Sequence, residues 1–469
     1  MMKTPPNALK ICRMLQRSGF QSYIVGGAVR DSLLGREVHD WDIASDARPE
    51  QVVSLFRHVI KTGMKHGTVT VMMSDEAYEV TTFRGDGTYS DGRRPDSVQF
   101  LDTIEEDLAR RDLTVNAIAY DPIYDLYVDP WGGMKDLGNR TLRAVGNPLQ
   151  RFSEDALRML RAARFSATLG FTIEESTLKA ISILRSLEGV SPERIRDEIM
   201  KAMTAESPSR AFRVMVDTGI LAKILPTFMP MVGCTQNKYH EFDVWEHTLR
   251  VVDACPPSDP ILRVAALLHD VGKPASKGSH PVTGDATFYD HENIGAELSQ
   301  EILESLRFST DEINRVTHLV RHHFVRYETD WSSPTLRRWI RKVGLEHIPS
   351  LVTLARADIA GKGSANTPLE VSVVDHLEDR VRNMKDTEVI PTSTSVLAIN
   401  GKDVMEELGI SPGPVVGKVL NKLLEIVTDN PDLNTRESLL KILSGIKGTV
   451  QLFVSAGENL MKVLEEKEP

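Results

Sequence analysis

Cysteine is scarce in this chain: three in 469 residues, Cys12, Cys234 and Cys255, with no paired spacing. That excludes a disulfide framework and a zinc ribbon, and it fits a reducing compartment. Long hydrophobic runs are missing too. No stretch approaches the roughly 18 apolar residues that a membrane-crossing helix needs. Pro5 and Pro6 stand where a secretory leader would carry its apolar core, so the cytoplasm is the expected location. Surplus positive charge is absent: 56 Lys and Arg face 66 Asp and Glu, a net charge of −10. Non-specific coating of nucleic acid is therefore disfavoured. A nucleic-acid substrate is not, because a local basic surface can sit on an acidic protein. Internal repeats and low-complexity tracts are also lacking. The hydrophobic fraction, 41%, supports true cores and excludes wholesale disorder. The length calls for roughly two to four domains.

What the chain has is concentrated first near its start. An apolar run, Tyr23-Ile24-Val25, leads into Gly26-Gly27, then Arg30-Asp31, then Asp40-Trp41-Asp42. A glycine pair lets backbone N–H groups approach a phosphate, and the arginine adds a fixed cation. Two aspartates two residues apart on a strand share a face. Paired carboxylates on one face are a means of holding Mg²⁺ against a nucleoside triphosphate. The order and spacing together point to nucleotidyl transfer. The plainer alternative is a strand-to-helix turn followed by solvated aspartates.

The periodicity changes along the chain. Residues 1–145 alternate strand-like runs (Tyr23–Val25, Val69–Met73, Tyr78–Phe83) with helix-like ones (Pro49–Arg57, Glu105–Tyr120), which predicts a mixed α/β domain. Residues 146–225 are helical in pattern over Glu154–Leu169, Glu174–Leu187, Pro192–Thr204 and Ser209–Gly219. Pro226, Pro230 and Gly233 suggest a boundary. A second helical block fills the rest of 226–390. Pro391–Ser395 reads as a linker into a small helical segment, 391–469, with helices expected after Pro412-Gly413-Pro414 and over Thr435–Ile446.

Further polar clusters fall in the first two segments. Glu79 lies in a strand-like stretch that could bring it beside Asp40 and Asp42 as a third carboxylate; three clustered carboxylates repel unless a divalent cation joins them. A solvated strand-edge glutamate is the other reading. Arg110, Arg111, Asp112 and Asn116 gather cations, a carboxylate and an amide. They suit a nucleotide's phosphates and ribose, or a surface salt-bridge cluster. Asp155 and Arg158, three apart, share a helix face, as an intrahelical ion pair would. A sharper reading exists. Cytosine and adenine each present an amine donor beside a ring-nitrogen acceptor, whereas uracil and guanine present a carbonyl beside an N–H. One fixed carboxylate with one fixed guanidinium therefore complements C and A, and a mismatch leaves a desolvated polar group unpaired.

These segments, in this order, resemble the class II tRNA nucleotidyltransferases, the CCA-adding enzyme family, which is related to bacterial poly(A) polymerases. The resemblance rests on Gly26-Gly27…Arg30-Asp31…Asp40-Trp41-Asp42, Arg110-Arg111-Asp112…Asn116, Gly132-Gly133…Asp136-Leu137…Arg140, Glu154-Asp155-Ala156-Leu157-Arg158 continuing to Arg161 and Arg164-Phe165, and Glu193–Glu198. It covers about residues 20–220. It implies a polymerase-β-like α/β nucleotidyltransferase head (1–145) and an all-α neck and body (146–225) that selects the nucleotide and binds RNA. Asp40 and Asp42 are implied to hold Mg²⁺, with Glu79 as the candidate third carboxylate. Gly26, Gly27 and Arg30 are implied to contact the triphosphate, and Arg111, Asp112 and Asn116 the ribose and phosphates. Asp155 and Arg158 would read the base, positioned by Glu154, with Arg161 and Arg164 completing the nucleotide site. The expected partners are the tRNA 3′ end, CTP and ATP. Members that add only CC tend to have a shortened loop between the first two motifs. Here Gly85–Pro95 is present, which disfavours a CC-only enzyme but leaves full CCA addition and A addition both open. Poly(A) polymerase activity and an inactive RNA-binding protein are the lesser alternatives.

A second constellation follows. Eight of the 13 histidines fall between His240 and His323. His247, His269-Asp270, His291, His322-His323 and Asp358 form an ordered set of imidazoles and carboxylates, a donor mix that suits Mn, Ni, Fe or Mg. With His-Asp-Val-Gly-Lys at 269–273, the segment 226–390 resembles an all-α HD-superfamily metal phosphohydrolase. That resemblance implies a first metal on His247, His269, Asp270 and Asp358. It gives His291 and His322 or His323 to a second metal or the phosphate. The metal would be a divalent transition ion or Mg²⁺. The segment 391–469 resembles the transferase family's C-terminal tRNA-contacting piece, with plain packing as the alternative.

Overall fold

The computed structural model describes residues 2–85, 99–237, 240–363, 367–388 and 390–456. All of the Gly85–Pro95 loop except Gly85 falls outside them. The chain divides into two compact units. One comprises Met1–Cys234, Pro256–Val264 and Gln300–Ile313; the other comprises Thr235–Cys255, Ala265–Ser299 and Asn314–Pro469. Among the described residues no helix is long and apolar enough to cross a membrane.

The first unit opens with a mixed seven-stranded sheet. Its strands are β1 (Ser22–Val25), β2 (Ile43–Ser45), β3 (Val59–Ile60), β4 (Thr68–Met73), β5 (Glu76–Thr82), β6 (Ala119–Asp121) and β7 (Leu126–Val128), in the order β3-β4-β5-β2-β1-β6-β7. Only the β2–β5 pair is parallel, with Ile43 opposite Val80 and Ala44 opposite Thr81. Val25, Ala44, Phe83, Ile104, Leu108, Ala117, Ala119 and Val145 form a buried cluster with this sheet. The strand-like runs read from sequence match β1, β4 and β5, and Pro49–Leu55 is helical as expected.

Two expectations fail. Glu105–Tyr120 is not one helix. Its helix covers only Ile104–Ala109, followed by a 3₁₀ turn, Thr114–Asn116, and then β6. The backbone of Asp112–Thr114 is drawn away from helical bonding: Thr114 N donates to Arg143 O at 2.9 Å and Val145 N to Asp112 O at 3.2 Å. Glu154–Leu169 is not continuous either. Helices Pro148–Glu154 and Leu157–Thr168 flank Asp155, whose backbone is extended (φ −146°, ψ 104°). Asp155 Oδ1 accepts from Leu157 N at 3.0 Å, so this carboxylate starts the second helix instead of riding on it. The second helix packs against Pro192–Met203 and Ser209–Asp217.

The second unit is helical apart from a small hairpin, Lys277–Ser279 with Ala286–Phe288. Helices Val244–Ala254 and Ile348–Gly361 pack together. Near the chain's end, Gly401–Leu408, Pro414–Asp429 and Arg436–Ala456 enclose a core that includes Val404, Leu408, Val419, Leu423, Leu439 and Leu443.

Candidate active site and a second ligand cluster

The sheet of the first unit presents a cavity of about 530 Å³. Parallel pairing of β2 with β5 decides its floor. Ile43 opposes Val80, so Asp42 falls level with Glu79 and the two carboxylates share a face. Asp42 precedes the first residue of β2, and Asp40 lies in the coil before it, so the expected pair on one strand is not formed. Val25 N still donates to Asp42 O at 3.0 Å, and the pairing stops where the chain after β1 turns at Gly26. Asp42 and Glu79 line the cavity and Asp40 does not, and among the described residues the three carboxylates are not drawn into a metal-spaced group as His247, His269 and Asp358 are. The Asp42 carboxyl is raised above its ordinary value, first by withdrawal from water, then by Glu79 and also Asp40, against the pull of Arg111. A divalent cation would relieve that crowding, so the residues fit one.

Gly26 is favoured by its backbone, and a side chain there would have to displace the Arg111 guanidinium. Its φ is +70°, and a Cβ there would stand 2.9 Å from Arg111 Nη1 and 3.9 Å from Asp42 Oδ2.

The walls form a continuous polar chain. Arg30 Nη1 donates to Asn116 Oδ1 at 2.6 Å, Asn116 Nδ2 to Asp112 Oδ1 at 3.0 Å, and Arg161 Nε to Asp112 Oδ2 at 2.7 Å. Burial alone would raise the Asp112 carboxyl, but Arg161, Asn116 and the Leu113 N–H hold it well below the usual carboxylate range. Asp112 and Asn116 do meet, through the 3₁₀ turn and not through a shared helix face.

Arg158 lines the same cavity, held by Glu154 Oε2 at 2.8 Å, Arg151 O at 2.9 Å and Arg110 O at 2.9 Å. Asp155 also lines it and is held by Arg194 Nη2 at 3.0 Å. Glu154 stands behind Arg158 and is not on the cavity wall. Arg164 is turned to buried Glu198 at 2.5 Å and is likewise off the wall, its guanidinium stacked on Phe165.

Sequence reasoning missed three participants. Asp107, buried, anchors both Arg110 (2.8 Å) and Arg111 (3.2 Å); its i, i+3 and i, i+4 spacing was the available signal. Phe165 and Arg194 were seen only as parts of motifs, yet both line the cavity.

The second unit brings its own set together. One group is His247, His269 and Asp358; a second is Asp270, His291 and His323. Asp270 joins them: its Oδ2 is 3.2 Å from His269 Nε2 and 3.5 Å from His247 Nε2, while Oδ1 is 3.7 Å from His291 Nε2 and 3.8 Å from His323 Nε2. Three rings have their tautomer dictated by carbonyls, which can only accept. His269 Nδ1 donates to Ala266 O (2.7 Å), His291 Nδ1 to Phe288 O (2.8 Å) and His323 Nδ1 to Val320 O (2.7 Å). Each Nε2 is thereby left as a lone pair facing other lone pairs and carboxylate oxygens, an arrangement that suits a metal. Burial opposes a charge on His269 while the Asp270 and Asp358 carboxylates beside it favour one, and burial with the neighbouring His269 ring holds His323 below its ordinary value.

Gly272 makes this packing possible, since a Cβ would fall 2.3 Å from His291 O. His322 is not in the cluster. It ends helix Thr310–His322, stacks near His318 and lines a different cavity. Of the two neighbouring histidines, His323 is the one the cluster contains.

Comparison with known proteins decides the family. The "Poly A polymerase head domain" model matches residues 22–143, the "Probable RNA and SrmB- binding site of polymerase A" model matches 170–231, and a model of tRNA nucleotidyltransferase domain 2 matches 286–443. The CCA-adding enzyme of Ligilactobacillus salivarius is 33% identical over 465 residues, 98% of this chain and 97% of its own length. The chain belongs to the CCA-adding enzyme family. The CCA-adding enzyme of Enterococcus faecalis is 32% identical, over 94% of this chain and 96% of its own. The crystal structure of the Bacillus stearothermophilus CCA-adding enzyme in complex with CTP superposes with a TM-score of 0.69 at 30% identity, covering 96% and 99% of the two chains. The α/β head with its mixed sheet and the helical body are thus those of CCA-adding enzymes, nucleotidyltransferases of a kind that uses divalent metals, generally Mg²⁺.

Proposed function

We propose that this protein is a cytoplasmic enzyme that adds CCA to the 3′ end of tRNA, without a nucleic-acid template, from CTP and ATP. The observation that carries the reading is the convergence on one cavity of Gly26, Gly27, Arg30, Asp42, Glu79, Arg111, Asp112, Asn116, Asp155, Arg158 and Arg161. Sequence identity of 33% and 32% to CCA-adding enzymes over nearly the whole chain supports it. Residues 1–145 act as the catalytic head and 146–225 as the nucleotide-selecting neck; 391–469 contact the tRNA.

The reaction is in-line attack of the tRNA 3′-hydroxyl on the α-phosphorus. The new O–P bond forms, the α–β bridge breaks, pyrophosphate leaves and the hydroxyl proton is released. Asp40, Asp42 and Glu79 would hold Mg²⁺, which when bound lowers the pKa of the attacking hydroxyl and offsets charge on the leaving group. Gly26 and Gly27 let the triphosphate approach the backbone, and Arg30 and Arg111 bind it. Asp112 and Asn116 fix the ribose. Asp155 accepts from the amine of C or A, and Arg158 donates to the ring acceptor. Both are immobilised, by Arg194 and by Glu154, so that a wrong base cannot re-pair with them.

An extension assay with tRNAs lacking CCA, ending in C, or ending in CC tests this. Two C residues and one A on the bare tRNA are expected. Extension of the CC-ended tRNA alone, by ATP alone, would instead make the protein an A-adding enzyme.

The His247–Asp358 set supports a second activity, an HD-type phosphohydrolase of residues 226–390 acting on phosphoesters. His247, His269, Asp270, Asp358, His291 and His323 would hold the metal, which when bound supplies an activated hydroxide. Absence of phosphatase and 2′,3′-cyclic phosphodiesterase activity across Mn²⁺, Ni²⁺, Co²⁺ and Mg²⁺ would refute it.

A further inference from the structure

The transferase cavity holds opposite charges that do not meet. One point, the position a Cβ would take at Gly26, stands 2.9 Å from Arg111 Nη1 and 3.9 Å from Asp42 Oδ2. Arg111 and Asp42 nevertheless form no ion pair. Among the described residues, Arg111 is hydrogen-bonded only to Asp107 and to the Asn116 carbonyl. Opposite charges in a partly desolvated cavity close on one another unless something holds them apart. Arg111 already acts on the Asp42 carboxyl across the gap, against the burial that raises it.

The holding group is Asp107. It lies on helix Ile104–Ala109, three residues before Arg110 and four before Arg111, so both guanidiniums fall on its side of the helix end. Its Oδ1 accepts from Arg110 Nη2 at 2.8 Å, Arg110 Nε at 3.1 Å and the Arg84 backbone N–H at 3.3 Å. Its Oδ2 accepts from Arg111 Nη2 at 3.2 Å. The carboxyl is buried, and burial alone would raise it, but Arg110 and Arg111 hold it below its ordinary value. A carboxylate locked by several donors on one oxygen is a fixed post for the guanidinium on the other. Arg111 is gripped at both terminal nitrogens, Nη2 by Asp107 and Nη1 by Asn116 O at 3.3 Å, which spends two of its five N–H groups. Its Nε is buried and has no partner among the described residues. A buried donor without an acceptor is costly, and the cavity that Arg111 lines is where an anionic acceptor would enter.

We propose that Asp107 is a positioning residue for nucleotide addition: it holds the Arg111 guanidinium off Asp42 and Glu79 and keeps it for the triphosphate. The proposal rests on the transferase reading of this cavity. Released from Asp107, Arg111 pairs with Asp42. That one displacement removes a phosphate donor and covers a carboxylate assigned to the cation.

Asp107→Asn in the full chain isolates the contact. Oδ1 meets three donor N–H groups and Oδ2 one, so the amide keeps its oxygen toward Arg110 and Arg84 and turns its NH₂ on Arg111, donor against donor. CTP and ATP binding is measured by calorimetry in chelator. Both should weaken about tenfold, and equally, since the triphosphate is common to them. Arg111→Ala should weaken them at least as much. The double variant should bind like Arg111→Ala alone, because Asp107 acts through Arg111. A second readout is the Mg²⁺ concentration that gives half-maximal nucleotide addition. It should rise severalfold in Asp107→Asn and not in Arg111→Ala, which leaves no guanidinium to occupy Asp42. Wild-type affinity in Asp107→Asn, additive losses in the double variant, or one Mg²⁺ dependence shared by the two single variants would overturn the proposal. Thermal melts report that each variant is folded. Should Asp107→Asn not fold, Asp107→Glu and Asp107→Gln, equal in length and unlike in charge, repeat the comparison, and equal CTP affinity in those two would overturn it likewise. A wild type that binds neither nucleotide would refute the transferase reading, and the proposal would fall with it.

Discussion

Asp112→Asn tests the wall of the transferase cavity most directly. The substitution keeps shape and one oxygen. Oδ1 can still accept from Leu113 N (2.8 Å) and Asn116 Nδ2 (3.0 Å). At Oδ2 an NH₂ now faces the Arg161 Nε–H across 2.7 Å, donor against donor. Breaking a fully buried pair costs about 3–5 kcal/mol. Arg161 is 32% exposed, so water recovers part of that, and about 1–3 kcal/mol is expected. The same displacement carries into function, because Arg161 lines the cavity and Asp112 holds Asn116, which holds Arg30. Nucleotide kcat/KM should fall roughly 10- to 100-fold. The pH dependence has a definite sign. The Asp112 carboxyl is held below its ordinary value in the folded state. Its stabilisation is therefore present above the unfolded value of about 3.9 and is lost as pH falls through the depressed folded value. The variant lacks this acid-side term, so its melting temperature should depend less steeply on pH below about 4. Calorimetry across pH, with CTP and ATP kinetics near neutrality, reads both effects. A stability change under about 0.5 kcal/mol with kinetics within twofold would refute the network argument.

Gly26→Ala should lower stability by about 1–2 kcal/mol through its positive φ and reduce nucleotide addition at least tenfold by displacing the Arg111 guanidinium; turnover and thermal melts check it. His323→Ala should lose bound metal after Mn²⁺ or Ni²⁺ loading, whereas His322→Ala should keep it, since only His323 faces Asp270; elemental analysis distinguishes them. Mg²⁺ alone should support nucleotide addition if, as proposed, Asp40, Asp42 and Glu79 hold the cation, while phosphoester hydrolysis should respond most to Mn²⁺, Ni²⁺ or Co²⁺, which suit imidazole. Identical metal profiles for the two activities would contradict the assignment of separate donor sets.

The sequence carried those parts of the site that are local. Gly26, Arg30 and Asp42 belong to one short strand–turn–helix passage, and residue type and spacing describe it well. Glu79 could only be suspected, because its place beside Asp42 follows from β2 pairing in parallel with β5 across nearly forty intervening residues. No local pattern specifies which strands pair, or in which register. The break at Asp155 was hidden for the opposite reason. Phe152, Leu157 and Leu160 are all buried, so apolar spacing ran on through a residue whose side chain was capping the next helix.

The same distinction explains the histidines. Residue type and family resemblance picked out the candidate donors, but His322 and His323 are consecutive and chemically identical, and a helix end turns neighbouring side chains about 100° apart. What separates them is outside the pair: Val320 O fixes the His323 tautomer with Nε2 inward, while His322 meets His318. A ligand is defined by the partner on its far nitrogen as much as by the metal it faces. That partner is a backbone carbonyl at three of the positions in this cluster, and carbonyls leave no mark in an amino-acid sequence. Donor types are therefore legible from sequence, and donor direction has to come from the fold.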